Sequence, residues 1–394
     1  MKILFAVVIA LFATAVVHAA DYLRCVRFHL DRVVGRSVDG YGPEHTQMWL
    51  AAIDATTGRL PTEPLPRELR WYRKITLPEG SNLYWDQSTI LAAYTLSDLT
   101  QHDRYAAAAD VYLRDFLRRC VAARSGLFLW ENHVYYDVVR DEVAAFGGGY
   151  HECRPHTPAW ELFWKQDPKA TERAIRAMGR AHIKDQASGR FCRHADWRET
   201  PGVFAEGEAQ GAKPFLEAGA SLIDSLCWLA DKTGDDDGKL TQMALQAARY
   251  SYAQRDTNTG LLRNQPIDRR WDYYASTTEV GLWAAALIRA GEYTGNEEFL
   301  RMSNVSTGSP AGTGLPSFSA ATWRRIAWNT APSCSSRSGP MEIKLSISSR
   351  YDPCRHAGLK RCIRASGSQE PRMAVLADSM PNTCSRILQT LITA

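Results

Sequence analysis

At 394 residues the chain is long enough for two or three average domains or for one large barrel or toroid, and it can bury a core without covalent staples. Its formal net charge of +4 comes from scattered basic residues with no Lys/Arg run, which excludes a nucleic-acid stripe and gives polyanions only a weak electrostatic pull. Nine cysteines form an odd set with no CxxC pair, so a cysteine zinc site is not expected. In an exported protein one or two disulfides would leave at least one thiol over.

Residues 1–19 read as a secretory signal. Lys2 gives a positive start, Ile3 to Val17 is apolar, and Val17-His18-Ala19 is a small-residue cleavage pattern. The apolar run is shorter than the roughly 20 residues of a spanning helix. No later stretch is long and apolar enough to span a bilayer, so a periplasmic or secreted protein is expected, with no membrane contact beyond the signal.

Helical patterning begins at Tyr22 to Val38. A loop rich in ligand-type side chains, Tyr41 to Thr46, follows, and then a polar connection to Gly80. From there the pattern predicts helices over Tyr84–Leu99, Arg104–Ala123, Ala159–Phe163, Pro168–Lys184, Phe215–Lys232, Lys239–Arg255, Trp271–Tyr293 and from Glu297 on. Asp167-Pro168 is a cap followed by proline at the first helical position. Strand-like alternation is scarce, so the chain reads as all-α.

Two junctions recur. Leu99–Asp103, Lys232–Asp235 and Tyr293–Asn296 are tight helix–helix turns. Ser125-Gly126, Ser188-Gly189 and Thr259-Gly260 open longer loops at similar intervals. Such a period suits helical hairpins arranged in a ring, an (α/α) toroid over residues 20–302, with the long loops on one rim. Those loops carry Asn132-His133, Arg193-His194 and Asn264-Gln265 at similar offsets from their glycines. The 281–288 segment is apolar nearly all round, as an inner helix would be.

Residues 303–394 differ in kind. They hold sixteen serines, four of the nine cysteines and only four of the forty aromatics, and helical periodicity stops at Met302. A disordered tail is one reading. The abruptness inside a continuing helix favours the other, an out-of-frame translation after codon 302. No function is assigned to the tail.

His133, Glu152 and His194 are the candidate metal ligands, since imidazoles with a carboxylate suit manganese, zinc or nickel, while all-oxygen sites suit calcium. They are too distant in sequence to form one local motif and must meet through the fold. His151 and His156 are rivals for the same roles. Trp130, Tyr135, Tyr136, Trp197 and Trp271 lie near the long loops and suit stacking on sugars. Arg263, Asn264, Arg269, Arg270 and Asp272 make a polar loop on the same expected rim. Glu279 is a further acidic candidate. A hydrolase would instead pair carboxylates, Glu152 with Glu131 or Asp196 with Glu279.

Gly149-Tyr150-His151-Glu152, the stretches Pro158–Trp164 and Asp167–Ala170, the earlier Asn132-His133 and the later Arg193-His194 together resemble the family 2 polysaccharide lyases, pectate lyases with an (α/α) barrel. The order His, Glu, Arg-His is the specific part, and the likeness spans roughly Tyr41 to Leu300. The resemblance implies a divalent, manganese-like ion (calcium, nickel or zinc being alternatives) held by His133, Glu152 and His194. It implies Arg193 as the base and His151, Trp130, Tyr135, Trp197, Arg263, Asn264, Arg270 and Trp271 as substrate contacts. The substrate would be an acidic oligo- or polysaccharide cut by β-elimination. The alternatives are a hydrolase or epimerase on the same toroid, or an inactive sugar-binding relative. Cys153 and Cys192 depart from the motifs, and the C-terminal part of the barrel is missing or altered. An arginine base is itself demanding, because its pKa ordinarily lies above about 12.

Overall fold

The computed structural model describes residues 22–61, 77–130, 134–145, 150–197, 214–265 and 275–305, with 304 and 305 described by backbone alone. All of these fall in one compact unit, Met1–Ser317. The other unit, Phe318–Ala394, lies outside the described residues, as does the expected signal.

The framework is all-α, as expected. Helix α1 covers 22–36. It is followed by α2 (Leu83–Thr100), α3 (Arg104–Arg119), α4 (Trp160–Gln166), α5 (Pro168–His182), α6 (Leu216–Thr233), α7 (Lys239–Ala253), α8 (Thr277–Thr294) and α9 (Glu297–Val305). Helix α9 runs three residues past the expected boundary at Met302. Asp167 caps α5, its carboxylate accepting from the Ala170 amide at 2.9 Å ahead of Pro168. The tight turns close through left-handed residues: Gln101, Gly234 and Gly295 end α2, α6 and α8.

Helix α6 packs against α5, α7 and α8 and is buried on almost every side from Leu216 to Ala230. The helix expected to be enclosed, α8, buries one stripe instead, Trp283, Ala286, Leu287, Ala290 and Gly291. Asp224 of α6 accepts two hydrogen bonds from Arg289 of α8, at 2.9 and 3.0 Å. That fork ties the middle of α6 to α8 by a part-buried ion pair.

The recurring glycine turn is real and occurs a fourth time. Gly58, Gly126, Gly189 and Gly260 all have positive φ, from 66° to 84°. In each case the glycine amide donates to the carbonyl four residues back, at 2.7–2.9 Å. Three of the four turns begin with an aspartate, Asp54, Asp185 or Asp256, whose carboxylate accepts from the amides two and three residues ahead. A hydroxyl just before the glycine, Thr57, Ser125, Ser188 or Thr259, accepts from the amide just after it. The repeat is therefore one hydrogen-bonded unit reused along the chain.

The long loops also hold strands that the sequence pattern does not reveal. β1 (Gly80–Ser81), β2 (Val134–Asp137) and β3 (Glu142–Ala145) form an antiparallel sheet in that order. β4 (Tyr150–Glu152) pairs with β7 (His194–Asp196), and β5 (Ile183–Asp185) with β6 (Arg190–Phe191). Strands of two to four residues are too short for a period of two to show.

Candidate active site

The β4–β7 pair brings the two central motifs together. Its register sets Tyr150 opposite Asp196, His151 opposite Ala195 and Glu152 opposite His194. Cross-strand neighbours put their side chains on the same face, and Glu152 Oε1 lies 3.4 Å from His194 Nε2. One residue before His194, Arg193 brings its Nε within 3.6 Å of the same carboxylate oxygen. Arg154, two residues after Glu152, places Nη1 3.4 Å from it. The backbone adds to the join, since the Cys153 amide donates to the Arg193 carbonyl at 2.8 Å.

Glu152 is buried beneath these groups. Burial pushes its carboxyl up, but the His194 imidazole and the Arg154 and Arg193 charges outweigh that and bring it down to about 2. The charged carboxylate is therefore the favoured form at neutral pH. The Arg193 guanidinium lies over the Phe215 ring, 4.3 Å from its centroid, and the Tyr150 ring stacks on the His194 imidazole at 5.6 Å. Both key side chains are thus pinned by aromatic contacts.

His151 points into the protein, where Nδ1 lies 2.7 Å from Nε2 of His182. His182 Nδ1 in turn lies 2.9 Å from the Cys192 carbonyl oxygen. A carbonyl only accepts, so Nδ1 of His182 carries the proton and its Nε2 accepts from Nδ1–H of His151. Burial pushes His182 well down and His151 down to about 3, so both rings are neutral. The chain of bonds leaves the lone pair of His151 on Nε2.

The remaining predicted residues divide sharply. Trp130 is buried, its ring packed with Tyr84, Phe116, Phe128 and Phe163, so it belongs to the core and offers no face to a sugar. Tyr135 is 7% exposed and lies against Gly80. Tyr136 is buried beside Arg119. Trp197 is half-buried, and its carbonyl accepts from Ser125 at 2.8 Å. Arg263 pairs with Asp256 at 3.4 Å, and Asn264 is buried, its carbonyl accepting from the Leu216 amide. Glu131, His133, Arg269, Arg270, Trp271 and Asp272 lie outside the described residues.

Glu217 was not foreseen. It stands in the first turn of α6, half-buried; burial and the charges of Glu279 and Glu152 push its carboxyl up against the pull of Arg154 and Arg193. Glu279 occupies the first turn of α8. An acidic residue in a first helical turn ordinarily reads as a complement to the helix dipole, which is why its sequence position carried no signal.

The two strands and the segment between them lie within a region, residues 68–265, that matches the family model for periplasmic pectate lyases, half of the chain. The chain belongs to the periplasmic pectate lyase family. A pectate disaccharide-lyase of Dickeya dadantii (strain 3937) is 27% identical over 172 residues, 39% of this chain and 32% of that protein. The chain therefore spans about a third of the length of that curated relative. A solved structure of a sugar epimerase from a ruminal bacterium has a TM-score of 0.38 and 13% identity, covering 58% of this chain and 59% of that one, too loose a likeness to bear on chemistry. The periplasmic description of the family agrees with the expected export. Among the described residues no helix is long and apolar enough to cross a membrane.

The donor set fits a divalent ion in kind. An ionised carboxylate and an imidazole nitrogen already stand 3.4 Å apart, the mixed oxygen–nitrogen pairing that suits manganese-like metals. Among the described residues no group of three or more His, Cys, Asp or Glu side chains is spaced as a complete cage. The third predicted ligand, His133, lies outside them.

Proposed function

We propose that this family member is a metal-assisted polysaccharide lyase that cleaves a polyuronate, pectate or a close relative, by β-elimination. The observation that supports it most is the convergence of Glu152, His194 and Arg193 at the β4–β7 pair, the elements that the family resemblance ranks as functional. The fourfold glycine turn supports the companion reading of a ring of helical hairpins that gathers long loops at one rim.

In this reading Glu152 and His194, with His133, would hold a manganese-like ion. When bound, that ion draws charge from a uronate carboxylate and so eases loss of the neighbouring C5 proton. The protein's own groups do the rest. Arg193, whose Nε lies 3.6 Å from Glu152 Oε1, would take the C5 proton, which requires that the bound cation first disfavour its charged form. The C5–H electrons form the C4–C5 double bond, and the C4–O bond breaks. The departing oxygen takes a proton, and Glu217, whose carboxyl burial pushes up and which interacts with Glu152, Arg154 and Arg193, is the proposed donor. No water is consumed, so no nucleophile needs activating. Arg154 adds positive charge for the sugar carboxylates.

The test is incubation with polygalacturonate and with alginate after chelation, with and without added Mn²⁺, following the ultraviolet absorbance of an unsaturated product. Metal-restored absorbance on one polymer supports the reading. New reducing ends without that absorbance, unaffected by chelator, would point to hydrolysis and sink it. His194→Ala should lose bound metal and turnover together. Arg193→Lys should keep the metal and lose turnover, and a lysine variant near wild-type rate would remove arginine as the base.

A further inference from the structure

Trp85 is a tryptophan with no place in the core. It sits in the first turn of α2 between buried Tyr84 and half-buried Asp86, yet it is 38% exposed. The Arg154 guanidinium lies over its ring, 5.5 Å from the centroid. The same guanidinium reaches Glu152 through Nη1 at 3.4 Å. We infer that Trp85 and Arg154 form a uronate-binding subsite next to the Glu152–His194–Arg193 cluster, Arg154 holding a sugar carboxylate and the part-exposed Trp85 lending apolar surface beside it. This rests on the proposed acidic-polysaccharide substrate and names the residues that recognise it.

The subsite is built rather than accidental. The loop after β4 carries Arg154, and the residues flanking Trp85 clamp that loop. The Tyr84 hydroxyl donates to the His156 carbonyl at 2.9 Å and accepts from the His156 amide at 3.1 Å. Gln87 accepts from the Ala159 amide at 2.7 Å and donates to the Thr157 carbonyl at 3.3 Å. Four hydrogen bonds therefore tie the start of α2 to the loop that carries Arg154. The Tyr84 ring meets both Trp85 and Trp130 edge-on, at 5.6 and 5.4 Å, so the platform is braced against the core. A platform that is already in place spares the binding step the entropy of ordering it.

Donor geometry argues for an acidic sugar rather than a neutral one. Arg154 and Arg193 both address one oxygen of Glu152. Guanidinium is the side chain whose planar donors match carboxylate in a fork. An exposed indole beside such a group offers a flat apolar surface of the kind a pyranose covers. A purely structural Arg154, a counter-charge to Glu152, would explain the 3.4 Å contact but not the exposed tryptophan.

Isothermal titration of the full chain with galacturonate trimer and with its methyl ester tests this. The wild type should bind the acid and discriminate against the ester. Arg154→Gln should weaken binding of the acid by about tenfold and erase the discrimination, and Arg154→Lys should recover part of it. Trp85→Ala should weaken acid and ester alike, by roughly three- to tenfold, and Trp85→Phe less. Circular dichroism identifies any variant that has failed to fold, and the Lys and Phe variants then supply the readout. Unchanged affinity and discrimination in the folded variants would overturn the subsite, as would a wild type that ignores the trimer. Trimer binding without any unsaturated product would overturn the lyase reading and leave the subsite standing.

Discussion

Glu152 and His194 face one another across two strands that are more than forty residues apart in sequence, with Oε1 and Nε2 separated by 3.4 Å. Burial alone would drive the Glu152 carboxyl up, yet its cationic neighbours hold it down at about 2, below the ordinary 4.5. A group with a depressed folded-state value stabilises the fold fully above its ordinary value and loses that contribution as pH falls towards the folded value. The relevant window therefore runs from about pH 4.5 to about pH 2. Wild type should lose on the order of 3 kcal/mol across it through this group, a loss that Glu152→Gln should not show. Urea unfolding midpoints at several acid pH values measure the difference, and parallel curves for the two proteins would contradict it.

The buried His151–His182 pair titrates with the same sign for a different reason. Burial holds both rings neutral, His151 at about 3 and His182 well below 6.5. The unfolded chain takes up protons below about pH 6.5 while the folded chain does not, so stability is complete above that value and falls with pH beneath it. Each histidine contributes a slope of about 1.4 kcal/mol per pH unit. His151→Gln removes one of them, so the fall in stability between pH 6 and 4 should be shallower by about that amount. Equal slopes in denaturant titrations would show that the pair is not held neutral.

Trp130 is the sharpest case of a plausible sugar contact that turns out to be core. Its ring packs with four aromatic neighbours, Tyr84, Phe116, Phe128 and Phe163. Trp130→Ala should cost about 3–5 kcal/mol of stability, the range for large aromatic truncations in a core. Trp130→Phe should recover much of it and leave substrate affinity near wild type. A rise in KM of tenfold or more in a Phe variant of normal stability would return Trp130 to the binding surface.

What could be read from the sequence follows from length scale. Helices such as Pro168–His182 show their period over several turns, and their ends agree with expectation to within a few residues. The glycine turns were legible because a left-handed residue that repeats leaves a glycine each time. The strands of the candidate site were not, because Tyr150–Glu152 and His194–Asp196 are three residues each. Side-chain assignments fared worst where identity had to stand in for burial. Trp130 follows the apolar run Leu127-Phe128-Leu129, which is a core signature in retrospect, whereas Trp85 lies in a helix with little amphipathic contrast, where exposure leaves no pattern. Glu217 looked like an ordinary helix-start acid because the groups that perturb it, Arg154, Arg193, Glu152 and Glu279, come from three other segments.

The repeated turns also allow a test of what the fold itself demands. Gly189 and Gly260 have nearly the same backbone, φ of 72° and 71°. A Cβ on Gly189 would lie 2.2 Å from the carbonyl carbon and oxygen of Gln246 in α7, whereas a Cβ on Gly260 would meet nothing within 4 Å. Gly260→Ala should therefore cost only the left-handed penalty, about 1–2 kcal/mol. Gly189→Ala adds a clash with helix backbone, which cannot rotate away as a side chain can, and must push α7 off the β5–β6 turn. Its cost should exceed that of Gly260→Ala by at least about 2 kcal/mol. Because β6 leads directly into Arg193 and His194, Gly189→Ala should also lower turnover, while Gly260→Ala should not. Thermal denaturation of the two variants side by side decides the first point, and equal melting temperatures would mean that the close approach of the turn to α7 does not constrain the fold.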